Sequence, residues 1–260
     1  MGVDVARRSG ARRLTFVNVK AAGGAEPYRP SRREAREEPA FAELARWLDT
    51  QPPPDSTTID FRVESGVPSI EICRAAEERG ADLLILGRKP RSQANRLMVG
   101  DTADAVARRS LVPSLHVPPR VEGVNSMLVA LDGSERGLVV FRTAANLAAA
   151  IGATIRAVTV EAALADEPAE LVAGLPTARS ARLLDRLRGM LSAEQPTAVP
   201  LLEARRGDVV EQVLVAVAET AADLLVVGCH RGGPPGVVEA GSVARRLEHL
   251  APCTLLTVPL

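Results

Sequence analysis

The stretch GCHRGGPPGVVEAGS (228–242) gathers residue types suited to holding an anion. A phosphate needs backbone N–H groups aimed at it and room to approach them, and glycine supplies both. Five glycines in the stretch meet that need, and Arg231 adds a guanidinium able to form a charge-assisted bond. The next residues, VARRLEHL (243–250), have helical spacing. A helix beginning near Ser242 would add orphan N–H donors, a partial positive charge and a hydroxyl. Three features oppose this reading. Pro234 and Pro235 donate no N–H. Glu239 puts a negative charge beside the proposed phosphates. Arg231 can fill the pocket as readily as clasp a ligand. Two readings of the stretch stand: a phosphate cradle, or a Gly/Pro turn over a sheet end that binds nothing.

Other reactive constellations are sparse. The sequence has no GxxxxGK[ST] phosphate loop, no GxSxG nucleophile elbow and no HExxH motif. His116 falls on a predicted strand and reads as structural. His249 falls near a helix C-terminus, where a partial positive charge is favourable, and His230 lies in the candidate loop. Cys73, Cys229 and Cys253 are scattered and odd in number, which argues against a disulfide framework or a zinc site and for a reducing cytoplasm. Cys229 would be a reactive thiol only if exposed; a buried spectator is the simpler reading. Aromatics are 2% of the chain and the formal net charge is zero, so neither a base-stacking surface nor a strong field toward nucleic acid or an acidic membrane is expected. Charges interrupt every long apolar run, so no bilayer span is expected, and MGVDVARRSG lacks the apolar core of a secretory signal.

The elements that must position these groups are written twice. ADLLILG begins at residue 81 and ADLLVVG at 222, an offset of 141. The same offset carries Gly66 to Gly207, Gly100 to Gly241 and Val19 to Val160. A shift of that size duplicates a whole domain, giving an expected division into 1–119 and 124–260. In the second half, strands are expected at MLVAL (127–131), TIRAVTV (154–160), AVPLLEA (198–204), ADLLVV (222–227) and CTLLTVP (253–259). Helices follow Ser134, Thr177, Asp208 and Ser242, the first two as expected N-caps. Continuously apolar strands alternating with helices predict a parallel sheet covered on both faces. Asp132, at the carboxyl end of the first of these strands, falls where open parallel sheets bind ligands. The first half follows the same order from ARRSG (6–10) and RLTFVNV (13–19) onward, with a helix around Pro39–Asp49 that Trp47 is expected to anchor in the core. RREAREE (32–38) reads as a solvated segment leading into that helix. Nothing in this half corresponds to MLVALDGSE.

MLVALDGSE (127–135), ADLLVVG with a later Gly-Ser, and the terminal APCTLLTV (251–258) resemble the universal stress protein family, here in tandem. The resemblance implies an α/β fold: two Rossmann-like domains with parallel sheets of strand order 3-2-1-4-5, the first domain lacking strand 1 and most of helix 1. It implies that the halves pair through their last strands, 113–118 and 253–259, and that a homodimer is conceivable. Many members bind ATP and others do not. The family's nucleotide motif maps onto Gly228, Gly241 and Ser242, with Arg231 in place of the middle glycine and Gly232 beside it. By the resemblance, Asp132 contacts the nucleoside and Val160 lies near the base. In the first half, Pro90 and Asp101 replace motif residues, so no ATP is expected there, and Asp101 reads as a helix N-cap.

The missing strand is the central one of the family's sheet. Without it, strands 2 and 4 lose their shared partner, and each unpaired buried polar group costs about 1–3 kcal/mol. Two explanations are open: the true start lies upstream of Met1, the favoured one, or strands 2 and 4 close up in a reduced sheet. The expected function is a stress-response regulator that binds ATP or a related nucleotide, with Mg conceivable beside it, in the second half only. The alternative is a universal stress protein without nucleotide that acts as a protein-interaction module. Enzymatic turnover is not expected, because no base or nucleophile stands beside the loop. The implied partners are a nucleotide and an unidentified protein, with no nucleic acid and no membrane.

Overall fold

The computed structural model describes residues 1–20, 32–88, 102–119, 121, 123–162, 177–194, 201–230 and 242–260. The strands of the second half are β5 (Ser126–Leu131), β6 (Thr154–Ala162), β7 (Leu201–Gly207), β8 (Leu224–Cys229) and β9 (Thr254–Pro259); β5, β8 and β9 are largely apolar, whereas the edge strand β7 carries Glu203, Arg205 and Arg206. They lie parallel in the order β7-β6-β5-β8-β9. This is the 3-2-1-4-5 order expected of the second half. Alternate residues feed opposite faces. Met127, Val129, Leu224, Val226 and Leu256 pack under α6 (Glu135–Ile151) and α7 (Ala178–Glu194). Leu128, Val158, Leu225, Val227 and Leu255 pack under α8 (Val209–Thr220) and α9 (Ser242–Leu250).

Local chemistry fixes where these helices begin. Ser134 Oγ accepts from Gly137 N at 3.2 Å and caps α6. Thr177 Oγ1 accepts from the N–H groups of Arg179 and Ser180 at 3.2 and 3.1 Å and caps α7. Asp208 Oδ1 accepts from Glu211 N at 2.9 Å and caps α8. Each satisfies donors that the first turn leaves without an intrahelical partner.

The first half contributes α1 (Gly2–Ser9), β1 (Arg13–Lys20), α2 (Arg32–Glu37), α3 (Pro39–Thr50), β2 (Thr58–Ser65), α4 (Pro68–Arg79), β3 (Leu84–Gly87), α5 (Thr102–Arg109) and β4 (Ser114–Val117). Its strands fall into two groups. β1 and β2 form a separate two-stranded parallel sheet, while β3 and β4 join the large sheet. The expectation that strands 2 and 4 might close up is therefore corrected: β1 and β3 are not paired. Among the described residues no strand pairs with both. A small core of its own backs the β1–β2 sheet, where Phe61 stacks on Phe16 at 5.4 Å and meets Phe41 edge-on at 5.3 Å. Helix α1 ties the two groups together, with Val3 in that small core and Val5 in the main one.

Two further expectations are corrected. Trp47 does not anchor α3; it is 41% exposed, and Phe41 and Leu48 turn inward instead. The charged segment 32–38 is itself helical over Arg32–Glu37, because Ala35 gives it one residue to bury.

The halves join through their last strands, as expected. β4 runs antiparallel to β9, with Ser114 opposite Thr257, Leu115 opposite Leu256 and His116 opposite Leu255. Leu115 and Leu256 are themselves 141 residues apart, so the pair marks the centre of a pseudo-twofold arrangement. Seven strands thereby form one sheet in the order β3-β4-β9-β8-β5-β6-β7.

Candidate functional site

At β5 the connections turn from one side of the sheet to the other: β6 and β7 lie on one side, β8 and β9 on the other. Such a switch point opens a crevice at the carboxyl ends of the strands. Asp132 stands there, exposed, one residue beyond β5. Its Oδ1 accepts from Ser134 N at 2.9 Å and Ser134 Oγ at 2.7 Å. Gly137 lets the carboxylate lie against the start of α6, since a Cβ there would stand 3.2 Å from Oδ1. One carboxylate oxygen is thus fixed by the turn, and Oδ2 accepts no hydrogen bond among the described residues. Gly133 has φ 76° and is buried; a Cβ there would fall 2.2 Å from Leu183 Cδ1. The tight passage from β5 to α6 requires glycine at this point.

Val160 lies on β6, half-buried, opposite Arg205 of β7. Next to it, Glu161 accepts from Thr177 Oγ1 at 2.6 Å and from Ser180 Oγ. These two hydroxyls, with Arg206 and Arg179 nearby, hold its carboxyl below the usual glutamate range. The glutamate locks the start of α7 to the end of β6 and so sets one wall of the crevice.

Gly228 is the described part of the glycine-rich stretch, with Cys229 and His230 after it. Its smallness is used by the core: a Cβ would come 2.6 Å from Leu260 Cδ1 and 3.1 Å from Val140 Cγ2. Packing therefore accounts for glycine here without a ligand. Cys229 is buried, and burial pushes its thiol up to about 11, so the spectator reading stands and the reactive one does not. His230 Nδ1 is buried and has no hydrogen-bond partner among the described residues. Arg231, Gly232, Gly241, Pro234, Pro235 and Glu239 lie outside the described residues, as do Pro90, Gly100 and Asp101 of the first half. Ser242 begins α9, as expected, but its side chain is also outside them. The structure thus brings Asp132, Val160, Gly228 and the start of α9 to one edge of one sheet. Among the described residues no group of three or more His, Cys, Asp or Glu could hold a metal ion.

A second polar cluster, hidden from sequence reasoning, lies between the halves. His116 is fully buried; its Nε2 lies 2.9 Å from Ser114 Oγ and its Nδ1 3.3 Å from Glu248 Oε1. Ser114 Oγ in turn meets Thr257 Oγ1 at 2.7 Å. Arg88 donates to the carbonyls of Glu248, Ala251 and Cys253 at 2.9, 3.2 and 2.6 Å, capping the end of α9 from the other half. Arg88 occupies the position that Cys229 holds one repeat later, and that substitution was the available signal.

The profile of the universal stress protein family matches residues 1–118 and again 123–259. The chain belongs to the universal stress protein family. No curated protein matches it significantly in sequence. Among solved structures it is similar to a universal stress protein from Archaeoglobus fulgidus DSM 4304, with 15% identity and a TM-score of 0.69 over 99% of this chain and 91% of that one. A putative universal stress protein from Pseudomonas aeruginosa UCBPP-PA14 shares 13% identity at a TM-score of 0.65, over 97% of this chain and 94% of its own. At these identities the likeness speaks for the fold, and the family profile for membership. No described helix of this universal stress protein is long and apolar enough to cross a membrane.

Proposed function

We propose that this universal stress protein is a regulatory protein that binds ATP or a related nucleotide in its second half. The observation that carries the reading is the placement of Asp132, exposed at the switch point, with one oxygen fixed by Ser134. A carboxylate with one oxygen occupied and one left over is suited to accept hydrogen bonds from a nucleoside. Val160 offers an apolar wall for the base. The phosphates would meet the N–H groups at the start of α9, with Gly232, Gly241 and Ser242 lining the approach and Arg231 adding charge. Bound Mg would screen the phosphate charge. Occupancy would change the surface that a protein partner reads; the chain itself carries out no turnover.

Calorimetric titration with ATP tests this. The expected result is saturable binding to the intact chain, weakened at least tenfold, or about 1.4 kcal/mol, by Asp132→Ala. That variant also loses the two hydrogen bonds from Ser134, so a loss of about 1 kcal/mol in stability should accompany it, small enough to leave the chain folded during the titration. Failure to bind at millimolar ATP would instead favour the interaction module without nucleotide, which the packed surroundings of Gly228 would suit.

A further inference from the structure

Helix α9 is shared by the candidate site and the joint between the halves. It has nine residues, about two and a half turns, and a helix that short does not hold together in water without tertiary support. Its own half supports it through buried Ala244 and Leu247 and through Arg246, which donates to Asp208 at 3.3 Å. The first half supplies three further contacts. Arg245 approaches Asp104 of α5 at 4.0 Å, and Glu248 meets the buried His116 of β4. The Arg88 guanidinium donates to the carbonyls of Glu248, Ala251 and Cys253, at the end of α9 and just beyond it. The helix that matches α9 one repeat earlier, α5, is finished differently. In the place of Arg88 the second half has Cys229, a buried thiol. The chain leaves α5 through Ser110, whose Oγ donates to Val112 O at 2.6 Å and accepts from Val112 N at 3.1 Å. α5 is also the helix preceded by Asp101, where no nucleotide is expected. The guanidinium from across the joint thus braces the helix whose first turn would meet phosphate.

We propose that Arg88 is a positioning residue for the nucleotide phosphates, acting from the first half on the site of the second half through α9. This rests on the nucleotide reading above and adds a regulator to it. The carbonyls that Arg88 binds carry the partial negative charge of the helix end, and a guanidinium both satisfies and offsets them. With that end held, the last turn stays formed and α9 keeps its place beside β8. The orphan N–H groups of the first turn belong to the same hydrogen-bonded column, so their aim depends on it. The nucleoside contacts lie elsewhere: Asp132 follows β5, and Val160 is on β6. Arg88 therefore bears on the phosphates and not on the nucleoside.

Calorimetric titration of the full chain with ATP and with adenosine separates the two. Arg88→Ala should weaken ATP about fivefold or more and leave adenosine within about twofold. Arg88→Gln, which keeps an amide donor without the charge, should fold if the alanine variant does not, and should show the same selective loss. Arg88→Lys, which keeps the charge, should recover part of it. Asp132→Ala, by contrast, should weaken both ligands. The coupling must also run in reverse, so ATP should slow hydrogen exchange at the amides of Leu250 and Ala251 by about threefold or more in the native chain and not in the Arg88 variants. Equal loss of ATP and adenosine would reduce Arg88 to a structural brace and overturn the proposal. So would unchanged ATP affinity, or exchange at Leu250 and Ala251 that ignores ATP. If ATP binds the native chain and depends on Asp132 while the Arg88 variants behave as native, this inference alone falls; if ATP does not bind the native chain, the nucleotide reading falls with it.

Discussion

Gly133 is the residue on which the shape of the candidate site turns most sharply. Its positive φ and the Leu183 methyl together leave no room for a side chain. Gly133→Ala should therefore destabilise the protein by about 1–3 kcal/mol, read from urea unfolding, and should displace Asp132 enough to weaken ATP. A variant as stable as the native chain would mean that the β5–α6 passage relaxes freely. Glu161 gives a pH-dependent prediction. Its folded carboxyl lies below the ordinary value, so the stabilisation it supplies is complete above the unfolded value near about 4.3. That stabilisation is lost as pH falls through the lower folded value. Glu161→Gln should accordingly cost about 1 kcal/mol at neutral pH, and the two stability curves should converge in acid. Parallel curves at every pH would show that the hydroxyls of Thr177 and Ser180 do not depend on its charge.

At the scale of elements, the helices and strands of the second half could be read from periodicity and caps, because Ser134, Thr177 and Asp208 each sit where a helix starts and the inner strands β5 and β8 are largely apolar. The site was half legible. Asp132 was readable because it follows an apolar run and precedes a capping serine. The packing role of Gly228 was not, because Leu260 and Val140 are far from it in sequence. Trp47 was misjudged for a related reason: size argued for burial, but the small sheet it flanks is already filled by Phe16, Phe41 and Phe61. The split of the first half into two groups of strands could be posed from the repeat but not resolved by it. Arg88 showed in the sequence only as a departure from Cys229 of the repeat, and its role did not, because its partners are carbonyls, which any sequence provides. Arg88→Ala should remove the cap on α9 that reaches across the two halves and lower stability by about 2 kcal/mol. Unchanged unfolding would show that water replaces the guanidinium without loss.

The whole molecule is two related halves joined across strands that an unfused domain would offer to a second copy. Those edges are consumed within the chain, since β4 pairs with both β3 and β9. Fusion also frees the interface from self-complementarity. Asp104 and Arg245, which are 141 residues apart, approach to 4.0 Å, whereas identical halves would oppose like charges there. With one side of the pair free to change, Arg88 and His116 could serve the joint rather than a ligand, and nucleotide could be left to the second half. Mass spectrometry of the gently purified, undenatured protein tests that division of labour most directly. One nucleotide bound per chain, absent from Asp132→Ala, is the result expected; two per chain, or none after incubation with millimolar ATP, would contradict it.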